Sequence, residues 1–141
     1  MSKVLILFGI GAVVIIGVII LTSSKQPPSS TVPTISQIQP TSRYGDYSLA
    51  AYQAAVGKKR VLYFYATWCP TCSVANEDFT VNTAQIPEDI AIFRTDYDKE
   101  LDLKRKYAVT YQHTFVQVDE AGNELAKWNG GGLSELLQNL K

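Results

Sequence analysis

Both cysteines of the chain fall within Trp68-Cys69-Pro70-Thr71-Cys72, three positions apart. Thiols so placed on one helical turn can close a disulfide or hold a soft metal ion. A helix is expected to start at Cys69-Pro70, because proline in the first turn loses an N–H that would be unpaired in any case. The N–H groups at a helix start lack partners, and the positive end of the helix dipole points at them. A thiolate at Cys69 would sit against those groups, so its pKa is expected below that of a free thiol. Cys72, one turn in, is expected to be more buried and more protonated. Cys69 is therefore the candidate nucleophile and Cys72 the resolving thiol. A bridge closing so short a loop removes little chain entropy, which argues against a purely structural disulfide.

The elements that must position this pair are legible around it. Val61-Leu62-Tyr63-Phe64-Tyr65 is short, apolar and aromatic, as expected of a buried central strand. Ser48 to Val56 is alanine-rich with apolar residues at helical spacing, and Gly57 ends it. Lys58-Lys59-Arg60 reads as a solvated turn between the two. The helix opened by Cys69-Pro70 is expected to run to about Phe79. Ile90 to Thr95 is a second strand and Lys99 to Tyr107 a charged amphipathic helix. Thr114 to Val118 and Glu124 to Asn129 form a hairpin around Asp119-Glu120-Ala121-Gly122-Asn123. Leu133 to Leu140 is a last helix after three glycines.

Trp68-Cys69-Pro70-Thr71-Cys72 behind an apolar strand resembles the redox centre of the thioredoxin family, a Trp-Cys-x-x-Cys at a strand end. The order helix, strand, helix, strand, helix, strand, strand, helix is similar to that family over residues 44–141. The resemblance implies an α/β thioredoxin-like fold, with a central four-stranded mixed sheet flanked by helices. It also implies a thiol–disulfide oxidoreductase that exchanges disulfides with protein thiols and with a redox partner supplying or removing electrons. No cofactor is expected. Trp68, Pro70, Thr71, Gln112, His113 and Thr114 are the expected substrate-contacting or tuning residues. Trp68 is either an apolar docking surface beside the disulfide or mere core.

Two positions depart from the family pattern. The family has a buried acid about five residues before the first cysteine, and here Tyr63 stands six before Cys69. The lysine that partners that acid on the next strand corresponds to Arg94. Tyrosine is a poor base near neutral pH, so Tyr63 is either a weak substitute or packed aromatic core. The second departure lies where the family has a cis-proline. This chain reads Gln112-His113-Thr114 there, and His113 is its one histidine. The loop is expected to be strained or trans, and a proline at 113 is expected to restore the family's loop. Facing the sulfurs, His113 could stabilise the Cys69 thiolate, act as a base, or serve as a third metal ligand; otherwise it is an ordinary loop residue. Cys69, Cys72 and His113 together suit Cu(I) or Zn(II), so a metal-binding or delivery module is the rival function.

Before the domain the composition changes twice. Val4 to Leu21 carries no charge across 18 residues. At about 1.5 Å per residue it spans roughly 27 Å, close to the hydrocarbon thickness of about 30 Å. Residues 1–21 therefore read as a transmembrane anchor or a signal segment, and residues 22–43, rich in Ser, Thr, Pro and Gln, as a flexible tether. The expected setting is a single-pass plasma-membrane protein with the domain at 44–141 on the extracytoplasmic side. Of the thirteen Lys and Arg residues, Lys3, Lys25 and Arg43 precede that domain, so ten face thirteen Asp and Glu. A net charge of −3 with no basic cluster argues against nucleic acid as a partner.

Overall fold

The computed structural model describes residues 42–141. The segment at 1–21, and the tether at 22–43 except Ser42 and Arg43, lie outside the described residues. Among the described residues, no helix is long and apolar enough to cross a membrane.

Five strands form one mixed sheet. They are β1 (Tyr44–Asp46), β2 (Lys59–Tyr65), β3 (Ile90–Asp96), β4 (Thr114–Val118) and β5 (Glu124–Asn129), in the spatial order β1-β3-β2-β4-β5. Strands β1 and β2 both run parallel to β3, while β4 pairs antiparallel with β2 and with β5. Helices α1 (Leu49–Ala54), α2 (Pro70–Val81), α3 (Leu101–Lys106) and α4 (Leu133–Asn139) cover it, with a 3₁₀ turn at Thr83–Gln85.

The four-stranded sheet expected from the sequence is corrected to five. Tyr44-Gly45-Asp46 is too short, and too poor in β-formers, to signal a strand by itself. It is a strand because the edge of β3 offers a ladder, Tyr44 opposite Ile92 and Asp46 opposite Arg94. The turn expected at Lys58-Lys59-Arg60 is also shorter than read, since β2 begins at Lys59. Arg60 is buried, with its guanidinium 4.8 Å over the Tyr52 ring and its Nε donating to the Ala55 carbonyl. A long side chain whose charge is met by a carbonyl and a ring face can enter a core that a charge count alone would exclude.

Strand alternation sorts β2 into two cores. Val61 and Tyr63 point to the layer under α2 and α4, with Phe79, Ile92, Phe115 and Leu136. Leu62 and Phe64 point to the layer of α1 and α3, with Phe93, Tyr107 and Val116. Buried on both faces, β2 is the fixed axis of the sheet, and its carboxyl end delivers the chain to Trp68 and Cys69. Crevices at the carboxyl ends of parallel strands are where such sheets carry their sites.

Candidate active site

Cys69 occupies the cap position of α2 and Pro70 its first turn. The Cys72 N–H donates to Cys69 Sγ at 3.2 Å, so the sulfur takes one of the otherwise unpaired amides of the helix start. The two cysteines are joined in a disulfide, with Cα atoms 5.2 Å apart. Cys72 is wholly buried and Cys69 reaches solvent at 2%. Around them the surface is apolar: Trp68, Val74 and Tyr111 are all well exposed. Trp68 is not core. Its Nε1 donates to Asp98 Oδ2 at 2.8 Å, and its ring meets Tyr97 edge-on.

The first residue of the spacer that matters to the geometry is Thr71. Its Oγ1 lies 3.3 Å from Cys69 Sγ and 3.0 Å from His113 Nδ1. The other ring nitrogen, Nε2, lies 2.9 Å from the Gly131 carbonyl oxygen. A carbonyl can only accept, so Nε2 carries hydrogen, and in the neutral ring Nδ1 is the acceptor. His113 is buried, and its backbone has φ +55°, a left-handed conformation costing roughly 1–2 kcal/mol for a residue with a side chain. Two bonds hold it there: its N–H donates to the Phe64 carbonyl at 2.8 Å, and its carbonyl accepts from Gly130 N–H at 2.7 Å. This corrects the expectation that proline at 113 would restore the family's loop, because proline is fixed near φ −65° and has no N–H to give Phe64.

The neighbours of His113 serve the same loop. Gln112 contributes its carbonyl, and Thr114 its hydroxyl, to the Asn129 side-chain amide, and Thr114 Oγ1 donates to the Tyr111 carbonyl. Asn129, Gly130 and Gly131 were not singled out in the sequence. The signal available was the glycine run itself: Gly130 and Gly131 have φ +79° and +96°, which other residues rarely adopt. Asp78 of α2 holds this loop from below, its Oδ2 accepting from Leu133 N–H at 2.7 Å. Open clefts of about 400 and 330 Å³ share Thr71, His113 and Gly131 in their linings.

Tyr63 and Arg94 separate. The Tyr63 hydroxyl donates to the Cys72 carbonyl at 3.0 Å, and its ring stacks on Phe115 with centroids 4.5 Å apart. Burial drives its pKa above the ordinary tyrosine value, so it stays protonated and acts as a tie between β2 and α2 rather than a base. Arg94 is not its partner. The guanidinium pairs with Asp46 Oδ1 and donates to Asn76 Oδ1, which also accepts from the Tyr44 hydroxyl. The two positions where the family pairs an acid with a lysine thus carry a tie from Tyr63 to α2 and an ion pair from Arg94 to β1.

One atom each of Cys69, Cys72 and His113 lie within 4.8 Å of one another, the sole such cluster among the described residues. As a metal set it is compromised in this state. The sulfurs are bonded to each other, and both imidazole nitrogens have protein partners.

A cysteine pair joined in a disulfide at the start of a helix, behind the central strand of a mixed sheet, defines a thiol–disulfide oxidoreductase. The Thioredoxin family model matches residues 45–141, and the chain belongs to the thioredoxin family. Among solved structures, it is similar to Trxlp from Edwardsiella tarda at 26% identity and TM-score 0.55, covering 67% of this chain and 93% of that one. The germline-specific thioredoxin Deadhead from Drosophila melanogaster gives 26% identity and TM-score 0.57, covering 67% and 92%. Fasciola hepatica thioredoxin gives 27% identity and TM-score 0.52, covering 60% and 79%.

Proposed function

We propose that this oxidoreductase is tethered to the plasma membrane through residues 4–21 and exchanges disulfides with cysteines of extracytoplasmic proteins, Cys69 attacking and Cys72 resolving. The observation that carries the assignment of roles is the Cys72 N–H donating to Cys69 Sγ at the cap of α2. That bond and the helix dipole favour negative charge on Cys69 and not on Cys72. In the reducing direction the Cys69 thiolate forms a bond to one sulfur of a substrate disulfide, and the other sulfur leaves with the electron pair and takes a proton. Cys72 then loses its proton and attacks Cys69 Sγ, and the second substrate sulfur leaves as a thiol. The substrate gains two electrons and the protein is left with the Cys69–Cys72 disulfide, which a partner dithiol reduces by the same steps in reverse. Exposed Trp68, Val74 and Tyr111 give the apolar surface on which a partner polypeptide docks. The tether rests on the 18 uncharged residues from Val4 to Leu21.

Cys69→Ser is expected to abolish exchange with a disulfide-bonded protein substrate, and Cys72→Ser to accumulate mixed disulfides through Cys69, identified by mass spectrometry of the adducts. Mixed disulfides accumulating on Cys72 in the Cys69→Ser variant would reverse the roles. For the tether, the full chain should remain in the membrane fraction through a carbonate wash. Recovery of a soluble species beginning near Lys25 would replace the tether by a cleaved signal.

A further inference from the structure

We infer that Thr71 and His113 form a proton relay to Cys69, in which the threonine hydroxyl carries the proton between the nucleophilic sulfur and His113 Nδ1. The inference deepens the exchange reading above and rests on it. The chain of contacts is continuous. Cys69 Sγ lies 3.3 Å from Thr71 Oγ1, Thr71 Oγ1 lies 3.0 Å from His113 Nδ1, and His113 Nε2 lies 2.9 Å from the Gly131 carbonyl. Each link has one direction in the dithiol state. The Gly131 carbonyl fixes hydrogen on Nε2, which leaves Nδ1 to accept from the Thr71 hydroxyl, whose lone pair then accepts from the Cys69 thiol. When Cys69 ionises, its proton passes to Thr71 Oγ1 while the Thr71 hydroxyl proton passes to Nδ1. Threonine gives one proton and receives one, the imidazole becomes imidazolium, the sulfur becomes thiolate, and no electron moves. The same path run backward returns a proton to Cys69 when it is released by reduction of the disulfide.

Three further observations make this a built arrangement. The position of Tyr63, where the family has a buried acid, carries a protonated hydroxyl bonded to the Cys72 carbonyl, so the described site holds no carboxylate there. His113 is held at φ +55° by backbone bonds to Phe64 and Gly130, and strain fixed by its surroundings is a mark of a functional position. The ring is buried and Cys69 nearly so, while Thr71 between them stands at the surface. The other titratable groups facing His113 are Tyr63 from β2, Asp78 from α2 and Glu135 from α4. Both carboxylates are bound to backbone N–H groups, of Leu133 and Gly132 respectively, and Tyr63 is bound to the Cys72 carbonyl. None of these bonds takes a place in the relay. Thr71, which touches the reacting sulfur, thus hands on the proton of Cys69, and His113 acts through it as the proton's acceptor.

The test uses the reduced full chain in detergent, with iodoacetamide labelling of Cys69 followed by peptide mass mapping across about pH 5 to 8, the range in which an imidazole changes charge. The wild-type rate should stay measurable toward the acid end of that range, because the relay gives the Cys69 proton a place to go. Thr71→Val keeps the side-chain shape and removes the hydroxyl. It should slow labelling near pH 6 by about tenfold, the scale of one lost bond to a charged group. Thr71→Ser should restore the wild-type profile. His113→Asn, which tolerates the left-handed backbone but takes up no proton, should match Thr71→Val, and the double variant should be no slower than either single one. Nitrogen NMR of the oxidised chain at neutral pH should find hydrogen on Nε2. A wild-type profile in Thr71→Val, multiplying effects in the double variant, or hydrogen on Nδ1 alone would each overturn the relay. So would stoichiometric Zn(II) or Cu(I) binding that His113→Asn abolishes while labelling stays unchanged, an outcome that favours the metal module. Labelling and NMR need no turnover, so failure of the relay and failure of the exchange reading are distinguishable.

Discussion

On the α2 side of the disulfide, the consecutive residues Trp68 to Cys72 supply the nucleophile, the resolving thiol, the helix start and the exposed indole. On the other side, Thr71 meets His113 from 42 positions away, and His113 meets Gly131 from 18 positions away. The first side is held by a helix cap, by Tyr63 bonded to the Cys72 carbonyl and by Trp68 bonded to Asp98. The second depends on left-handed backbone at His113, Gly130 and Gly131, and on Asp78 reaching across to Leu133. A site of this kind can lose its second side while the first stays folded, so damage there should appear as altered proton handling and stability rather than as loss of the cysteine pair.

The sharpest way to break that contrast is His113→Pro. Proline cannot adopt φ +55° and removes the N–H bonded to Phe64, so the substitution should cost about 3 kcal/mol or more. Denaturant unfolding of the oxidised protein would measure it, and an unchanged midpoint would mean the loop tolerates a family-like proline after all. Gly131→Ala tests the same side more gently. At φ +96° an alanine is strained, and its Cβ would overlap the Glu135 side chain, so a loss of roughly 1–2 kcal/mol is expected, with His113 disturbed through its carbonyl partner. Tyr63→Phe probes the first side. It removes the bond to the Cys72 carbonyl and should cost about 0.5–1.5 kcal/mol. Because burial keeps the Tyr63 hydroxyl protonated through the neutral range, the pH profile of exchange should not change shape; a lost limb in that profile would restore Tyr63 as a base. The smallest effect concerns Glu135. The Gly132 N–H holds its carboxyl below the ordinary value of 4.5. Its folded pKa is depressed, so the Gly132 bond is fully formed above that value and is lost as pH falls through the lowered one. The Gly132 amide shift, followed by NMR into the acid range, reports the change.

The readable part of the molecule is the part with local causes. Alternating or continuous apolar runs marked β2 to β5, and proline with glycine marked where α2 begins and α1 ends. Tyr44–Asp46 had no such mark, since its ladder exists only once β3 is in place. Arg60 was misread for a related reason: its burial depends on Tyr52 and on the Ala55 carbonyl, which a charge pattern does not reveal. At the site, Cys69, Cys72, Trp68 and His113 were singled out by residue type and by a departure from the family pattern. That Thr71 stands between Cys69 and His113 was hidden, because the contact joins a spacer residue to a loop whose backbone no propensity describes. Arg94 corresponds to the family's partner lysine and its Cα does stand opposite Tyr63, whereas its long side chain follows a carboxylate on β1, Asp46.

The left-handed backbone at His113 also sets which sequences lie within one step of this one. Glycine, asparagine or aspartate can replace the histidine and leave the chain path standing. Proline cannot, and a β-branched residue fits at neither 130 nor 131 while the path is kept. A proline at 113 would therefore have to come with a new path for the loop, because the bond to Phe64 and the left-handed turn would go together.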